Sequence, residues 1–177
     1  MNSKAISVLA LPISQRDHIQ GATTAPFSLV QYGDYQCPHS GAIYPILQSL
    51  LQELGDQVCF AYRHFPRSNI HPDAQHAAEA AEAAASQEKF WQMHDCLFTH
   101  QHALGNGYLV DYAALIGLNV QQFLREMGSD LHVNRVWEDM VSGTRSGVRQ
   151  TPTLFVNGSR YSGEWSEGSL RQTLLQG

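Results

Sequence analysis

Phe27-Ser28-Leu29-Val30-Gln31-Tyr32-Gly33-Asp34-Tyr35-Gln36-Cys37-Pro38-His39-Ser40, continued from Gly41 to Leu54, is the stretch whose reading decides the fold. Phe27, Leu29 and Val30 open a short apolar run that Gly33 and Asp34 close with turn residues, the composition of a strand. Beyond the cysteine, Ile43, Ile46, Leu47, Leu50, Leu51 and Leu54 recur at helical spacing and Gly55 supplies a stop. Cys37 therefore falls at a helix N-terminus. Pro38 suits the first turn, where a missing N–H costs nothing.

This position has a chemical consequence. Unpaired amide donors and the positive end of the helix dipole favour thiolate over thiol, and a protonated His39 would add to the effect. The sulfur is expected to be a nucleophile. The bland alternative is a structural cysteine that happens to precede a helix.

Further signals narrow the choice. Cys37-Pro38-His39 followed by Ser40 resembles the active site of the DsbA group of the thioredoxin superfamily, whose usual pattern is Cys-Pro-His-Cys or Cys-Pro-Tyr-Cys. Pro45 stands where thioredoxin-like proteins kink their active-site helix. Gln150-Thr151-Pro152-Thr153-Leu154-Phe155-Val156-Asn157-Gly158 resembles the family's cis-proline loop and the strand after it. The likeness runs from Arg16 to Leu175 and includes Arg63-His64-Phe65-Pro66. It implies an α/β, thioredoxin-like fold with an all-helical insertion, a cis Thr151–Pro152 bond facing the sulfur, and a substrate chain paired to the backbone of Thr151.

Two departures from the family pattern carry information. Thiol–disulfide exchange passes through a mixed disulfide that a second thiol normally releases. Ser40 cannot attack sulfur, although its hydroxyl could donate a hydrogen bond to the Cys37 thiolate. Gln31 replaces the buried acid that in the family serves the resolving cysteine. Both departures agree with a site of one thiol, whose mixed disulfide glutathione or another thiol would resolve. A glutathione-dependent transferase or isomerase, and a binding module without turnover, are the alternatives on the same fold.

The remaining sequence fits one domain over residues 1–177, with the helical insertion at about 68–147. A chain of 177 residues with 43% apolar content can bury an ordinary core. Val58-Cys59-Phe60-Ala61-Tyr62 reads as an inner parallel strand, which with the preceding helix makes a right-handed crossover. In the insertion, Ala74, Ala77, Ala78, Ala81 and Ala85 form a small-residue face, followed by Phe90, Met93 and Leu97. Three further stripes are Tyr112 with Leu115 and Ile116, Phe123 with Leu124 and Met127, and Val133 with Val136, Trp137 and Met140. Thr153 to Val156 turns at Asn157-Gly158 into an antiparallel return, and Ser166 to Leu175 closes the fold with Leu170, Leu174 and Leu175 inward. Residues up to Pro26 read as an extended arm.

Charge and cysteine usage set the partners. A net charge of -5 argues against nucleic acid or an anionic membrane. Cys37, Cys59 and Cys96 do not make a disulfide framework, which fits a reducing compartment, and no export signal is read in Ala5 to Ile13 after Lys4. The expectation is a cytoplasmic monomer or homodimer acting on protein or peptide thiols and disulfides, with glutathione as co-substrate and no resident cofactor. His94, Cys96, His100 and His102 cluster in sequence but lack a metal-site pattern, and read as a solvated helix face.

Overall fold

The computed structural model describes residues 7–176; of the stretch Lys4 to Ile13 read for an export signal, residues 4–6 lie outside them. Its centre is the predicted strand and helix. Strand β2 (Phe27–Gly33) leads through the Cys37 turn into helix α1 (Pro38–Leu54), and Gly55, at φ +49°, ends the helix in a conformation that favours glycine. A single 3-10 turn delivers the chain to β3 (Val58–His64), which pairs parallel to β2 with Leu29 opposite Phe60 and Gln31 opposite Tyr62. The crossover thus places Cys37 just beyond the carboxyl end of β2.

Two more strands flank this pair, and a third completes the sheet. β1 (His18–Gln20) lies antiparallel to β3, β4 (Thr153–Val156) lies antiparallel to β2, and β5 (Ser159–Arg160) folds back on β4. The order across the sheet is β1-β3-β2-β4-β5. Asn157 and Gly158 turn the last hairpin, both at positive φ. Between β3 and β4 stand five helices: α2 (Ala74–Ala85), α3 (Phe90–Thr99), α4 (Asn106–Leu115), α5 (Val120–Gly128) and α6 (Val133–Arg145). Helix α7 (Glu167–Gln176) closes the described chain.

The core divides at the sheet. Leu29, Phe60, Tyr62, Leu154 and Val156 face α1, α7 and the insertion, joined by Leu47, Leu50, Met93, Leu97 and the alanines of α2. Val30, Tyr32, Ala61 and Phe155 make a smaller cluster with Val148 on the other face. Alternate residues of a strand point to opposite faces, so one apolar run feeds both clusters.

The structure corrects several expectations. The arm before Pro26 contributes β1, an edge strand too short and polar to stand out by pattern. Leu124, Trp137 and Leu175 are exposed, while their neighbours Phe123, Val136 and Leu174 are buried. Adjacent helical residues are turned about 100° apart, and these helices each bury a narrow stripe. Leu115, at the end of α4, is exposed too. Finally, β3 runs two residues past Tyr62 and buries Arg63 and His64 completely.

Burial of Arg63 is possible because its donors are occupied. Nε and one terminal nitrogen donate to the two Asp17 oxygens at 2.7 and 3.0 Å. The carbonyls of Leu11 and Pro12 and the Tyr32 hydroxyl accept the other bonds. Burial alone would weaken the cation, but Asp17 and Tyr32 outweigh it and raise the pKa. The pair also ties the arm to β3. Asp17→Ala leaves this charge buried without its partner and should cost about 3–5 kcal/mol in urea unfolding; a loss below about 1 kcal/mol would contradict the pairing.

Candidate functional site

Cys37 is the N-cap of α1, in an extended conformation, with Pro38 in the first turn. Its amide donates to the Asp34 carbonyl at 3.1 Å, and its own carbonyl accepts from the Gly41 N–H at 3.0 Å. The thiol donates to the Thr151 carbonyl oxygen at 3.3 Å. Thr151–Pro152 is a cis peptide bond, and Thr151 is itself buried. The sequence motifs at residues 37–40 and 151–152, more than a hundred positions apart, meet at one sulfur.

The other members of the motif differ in placement. Pro38 and His39 are exposed, whereas Ser40 is wholly buried. Ser40 Oγ accepts a long bond from the Asp34 N–H at 3.4 Å, and no hydrogen bond joins it to Cys37 among the described residues. The expected donation from Ser40 to the sulfur is not formed; the hydroxyl oxygen instead accepts a bond within the turn. Gln31 lies buried beneath, its side-chain amide nitrogen without a partner.

Asp34 organises the turn further. One carboxylate oxygen accepts from the Gln36 N–H at 2.8 Å. The other accepts from the Arg67 N–H at 2.9 Å and contacts His71 Nδ1 at 2.7 Å. The insertion adds a clamp: Gln101 Nε2 donates to the carbonyls of Tyr35 and Cys37 at 2.7 and 2.9 Å. Gly41 makes room for it, because a Cβ there would lie 1.9 Å from Gln101 Oε1. Gln36 and Asp73 exchange two more bonds.

Cys37 opens on a groove of about 640 Å³. Ile46, Ile70, Trp165 and Pro152 give it apolar walls, and Arg67, His71, His39 and Gln150 give it polar ones. Ile70 and Trp165 are half-exposed. Gln101, Arg67, His71 and Trp165 were not legible as site residues, since each reaches the groove or the turn only through tertiary packing, and Asp34 was legible only as a turn residue.

The other cysteines are placed differently. Burial raises the Cys59 thiol, with help from the charge of Asp17, and burial and Asp95 raise Cys96. All three are free. His94 corrects the reading of a solvated helix face: it is buried and bonded to the Tyr35 hydroxyl at 3.0 Å. Burial, and then the charges of His64 and His18, hold its pKa well below the ordinary histidine value.

The chain resembles known proteins over nearly its whole length. A family model described as "Thioredoxin" (Thioredoxin_4) covers residues 14–175. The chain belongs to this thioredoxin family. BdbD from Bacillus subtilis, in its oxidised form, superposes with a TM-score of 0.83 at 21% identity over 97% of each chain. A thioredoxin-like oxidoreductase from Silicibacter pomeroyi DSS-3 gives 0.81 at 21% identity over 92% of each, and alpha-DsbA1 from Wolbachia pipientis gives 0.81 at 17% over 95% of this chain and 93% of that one. The fold of this thioredoxin family member is thus thioredoxin-like with the helical insertion of the DsbA-type structures.

Curated relatives add a different context. Residues of this chain are 37% identical over 174 positions to a protein of Salinispora tropica named Na(+)/H(+) antiporter NhaA 3, covering 98% of this chain and 26% of that protein. A similarly named protein of Salinispora arenicola is 39% identical over 93% of this chain and 25% of its own length. The chain spans about a quarter of the length of the curated relatives it matches. No helix among the described residues is long and apolar enough to cross a membrane.

Behind the site lies a buried polar cluster that the sequence did not announce. His18 Nε2 and His64 Nε2 each approach Glu82 Oε1 at 2.8 Å, and Arg135 Nε stands 4.0 Å away. Burial alone would raise the Glu82 carboxyl, but the bonds and charges of the two histidines outweigh it and hold it well below the usual carboxylate range. A depressed carboxylate stabilises the fold above its unfolded value, near 4.5, and loses that contribution as pH falls below it. Thermal unfolding should show the stability gap between the wild type and Glu82→Gln narrowing from about pH 6 to about pH 3. A constant or widening gap would contradict the assignment.

Proposed function

We propose that the chain is a DsbA-like thiol–disulfide oxidoreductase that works through the single thiol of Cys37. The observation that carries the reading is the meeting of Cys37, at the N-terminus of α1, with the cis-proline loop at Thr151 in an open groove. Cys59 and Cys96 are held toward the neutral thiol by burial, which leaves Cys37, at the N-terminus of α1 and open to the groove, as the thiol placed to react.

The chemistry runs in two exchanges. The Cys37 thiolate attacks one sulfur of a substrate disulfide, forming a mixed disulfide and expelling the other sulfur as a thiolate that takes up a proton. The substrate chain lies along Thr151 beside Pro152. Ser40 offers no second thiol, so an external thiol such as glutathione attacks the Cys37 sulfur and releases the substrate as a thiol. A second glutathione attacks the glutathione sulfur of the Cys37 adduct, giving oxidised glutathione and free Cys37 thiolate. The sum is one disulfide reduced and two glutathiones oxidised. Three free cysteines support a reducing compartment, the cytoplasm, as the place for this chemistry.

The test is mass spectrometry of the protein mixed with a disulfide-containing peptide. The wild type should accumulate the peptide on Cys37 and lose it on addition of reduced glutathione. Cys37→Ser should form no adduct at all, and Ser40→Cys should form a transient one that resolves without glutathione. Absence of any adduct on wild-type Cys37 would overturn the proposal in favour of a binding module.

A further inference from the structure

The groove has a charge character unlike the rest of the chain. Acidic residues outnumber lysine and arginine by 16 to 11 overall, yet no Asp or Glu lines the groove among the described residues. Its titratable lining groups besides Cys37 are Arg67, His39 and His71. The carboxylate nearest to them in bonding, Asp34, is buried and already occupied by two amides and the His71 ring.

Arg67 is the one arginine or lysine of this set among the described residues. Its backbone is fixed at both ends: the N–H donates to Asp34 Oδ2, and the carbonyl accepts from the amides of Ile70 and His71 at 2.9 Å. No hydrogen bond or ion pair engages its guanidinium among the described residues. A half-buried arginine on a fixed loop, facing a groove free of carboxylates, has its guanidinium available to an anion. The same wall carries exposed Ile70, so the anion would sit beside apolar surface, where water screens it less.

From this we infer that Arg67 is the specificity residue for the resolving thiol, selecting a small peptide thiol such as glutathione whose C-terminal carboxylate is free over one in which that carboxylate is capped. The inference rests on the single-thiol reading above and adds the chemical class of the second substrate. The side chain acts by holding the carboxylate so that the incoming thiolate lines up with the Cys37 disulfide.

The resolving step can be isolated with a neutral leaving group. Treatment with 2,2′-dipyridyl disulfide places a pyridylthio group on Cys37. Attack by a thiolate on the Cys37 sulfur then forms the new mixed disulfide and expels 2-thiopyridone, which takes up the proton and is read by its absorbance. The comparison is glutathione against its ethyl ester, in which the glycyl carboxylate is capped. Taking the two rates as a ratio within each variant cancels changes in Cys37 or in the leaving group.

The expected result is a ratio of about five to ten in the wild type, falling to about one in Arg67→Gln and only partly in Arg67→Lys. A wild-type ratio near one, or a ratio unchanged in Arg67→Gln, would overturn the inference while leaving the single-thiol chemistry intact. Slower loading of Arg67→Gln by an acidic peptide disulfide, with the glutathione ratio unchanged, would overturn it by moving the anion to the protein substrate. Failure of Cys37 to take the pyridylthio group would instead remove the single-thiol reading, and the inference with it.

Discussion

One buried carboxylate holds the site together. Asp34, where β2 gives way to the Cys37 turn, accepts bonds from the amides of Gln36 and Arg67 and pairs with His71, while its backbone carbonyl takes the Cys37 N–H and its amide donates to Ser40. These bonds connect the turn carrying the sulfur to the loop forming one groove wall. A carboxylate out of water is stable only when its oxygens are satisfied, and each of these two oxygens is. The position of Cys37 and that of Arg67 are therefore coupled through one side chain.

The insertion completes what Asp34 begins. Gln101 reaches over from the end of α3 to satisfy two carbonyls of the turn, and Gln36 trades bonds with Asp73 before α2. Beneath them Tyr35 stacks on Tyr62 and packs against His94 and Phe98. A loop with this many fixed contacts keeps a cysteine in a defined conformation without a disulfide partner. The cis-proline loop and Trp165 add to the groove lining after the chain has returned from the helices to the sheet.

Much of the fold was legible because it depends on local pattern. The strand–turn–helix around Cys37, the Asn157-Gly158 hairpin and the five helices of residues 74–145 all announce themselves through periodicity, caps or turn residues. The juxtaposition of Cys37 with Thr151 and Pro152 was legible only through the family resemblance, since no spacing rule joins positions so far apart. What stayed hidden is tertiary polar chemistry. The strand read as ending at Tyr62, and the burial of Arg63 and His64 beyond it depends on partners such as Asp17, Tyr32 and Glu82 that only the fold brings up; His94 read as solvated until Tyr35 supplied its partner. Ser40 illustrates the converse: its identity was legible, but its bond to Asp34 could not be inferred from the motif.

On the reading proposed above, Cys37 owes its reactivity to where the fold puts it and not to exposure. Its residue is only 4% exposed, whereas Cys96 is half-buried and more open. The most direct measurement is the rate of alkylation of each cysteine by iodoacetamide in the native protein at about pH 6, resolved by peptide mass. Cys37 should react fastest, by about ten-fold or more over Cys96, and this advantage should vanish in urea, where the helix N-terminus is lost. Equal native rates, or faster modification of Cys96, would contradict it.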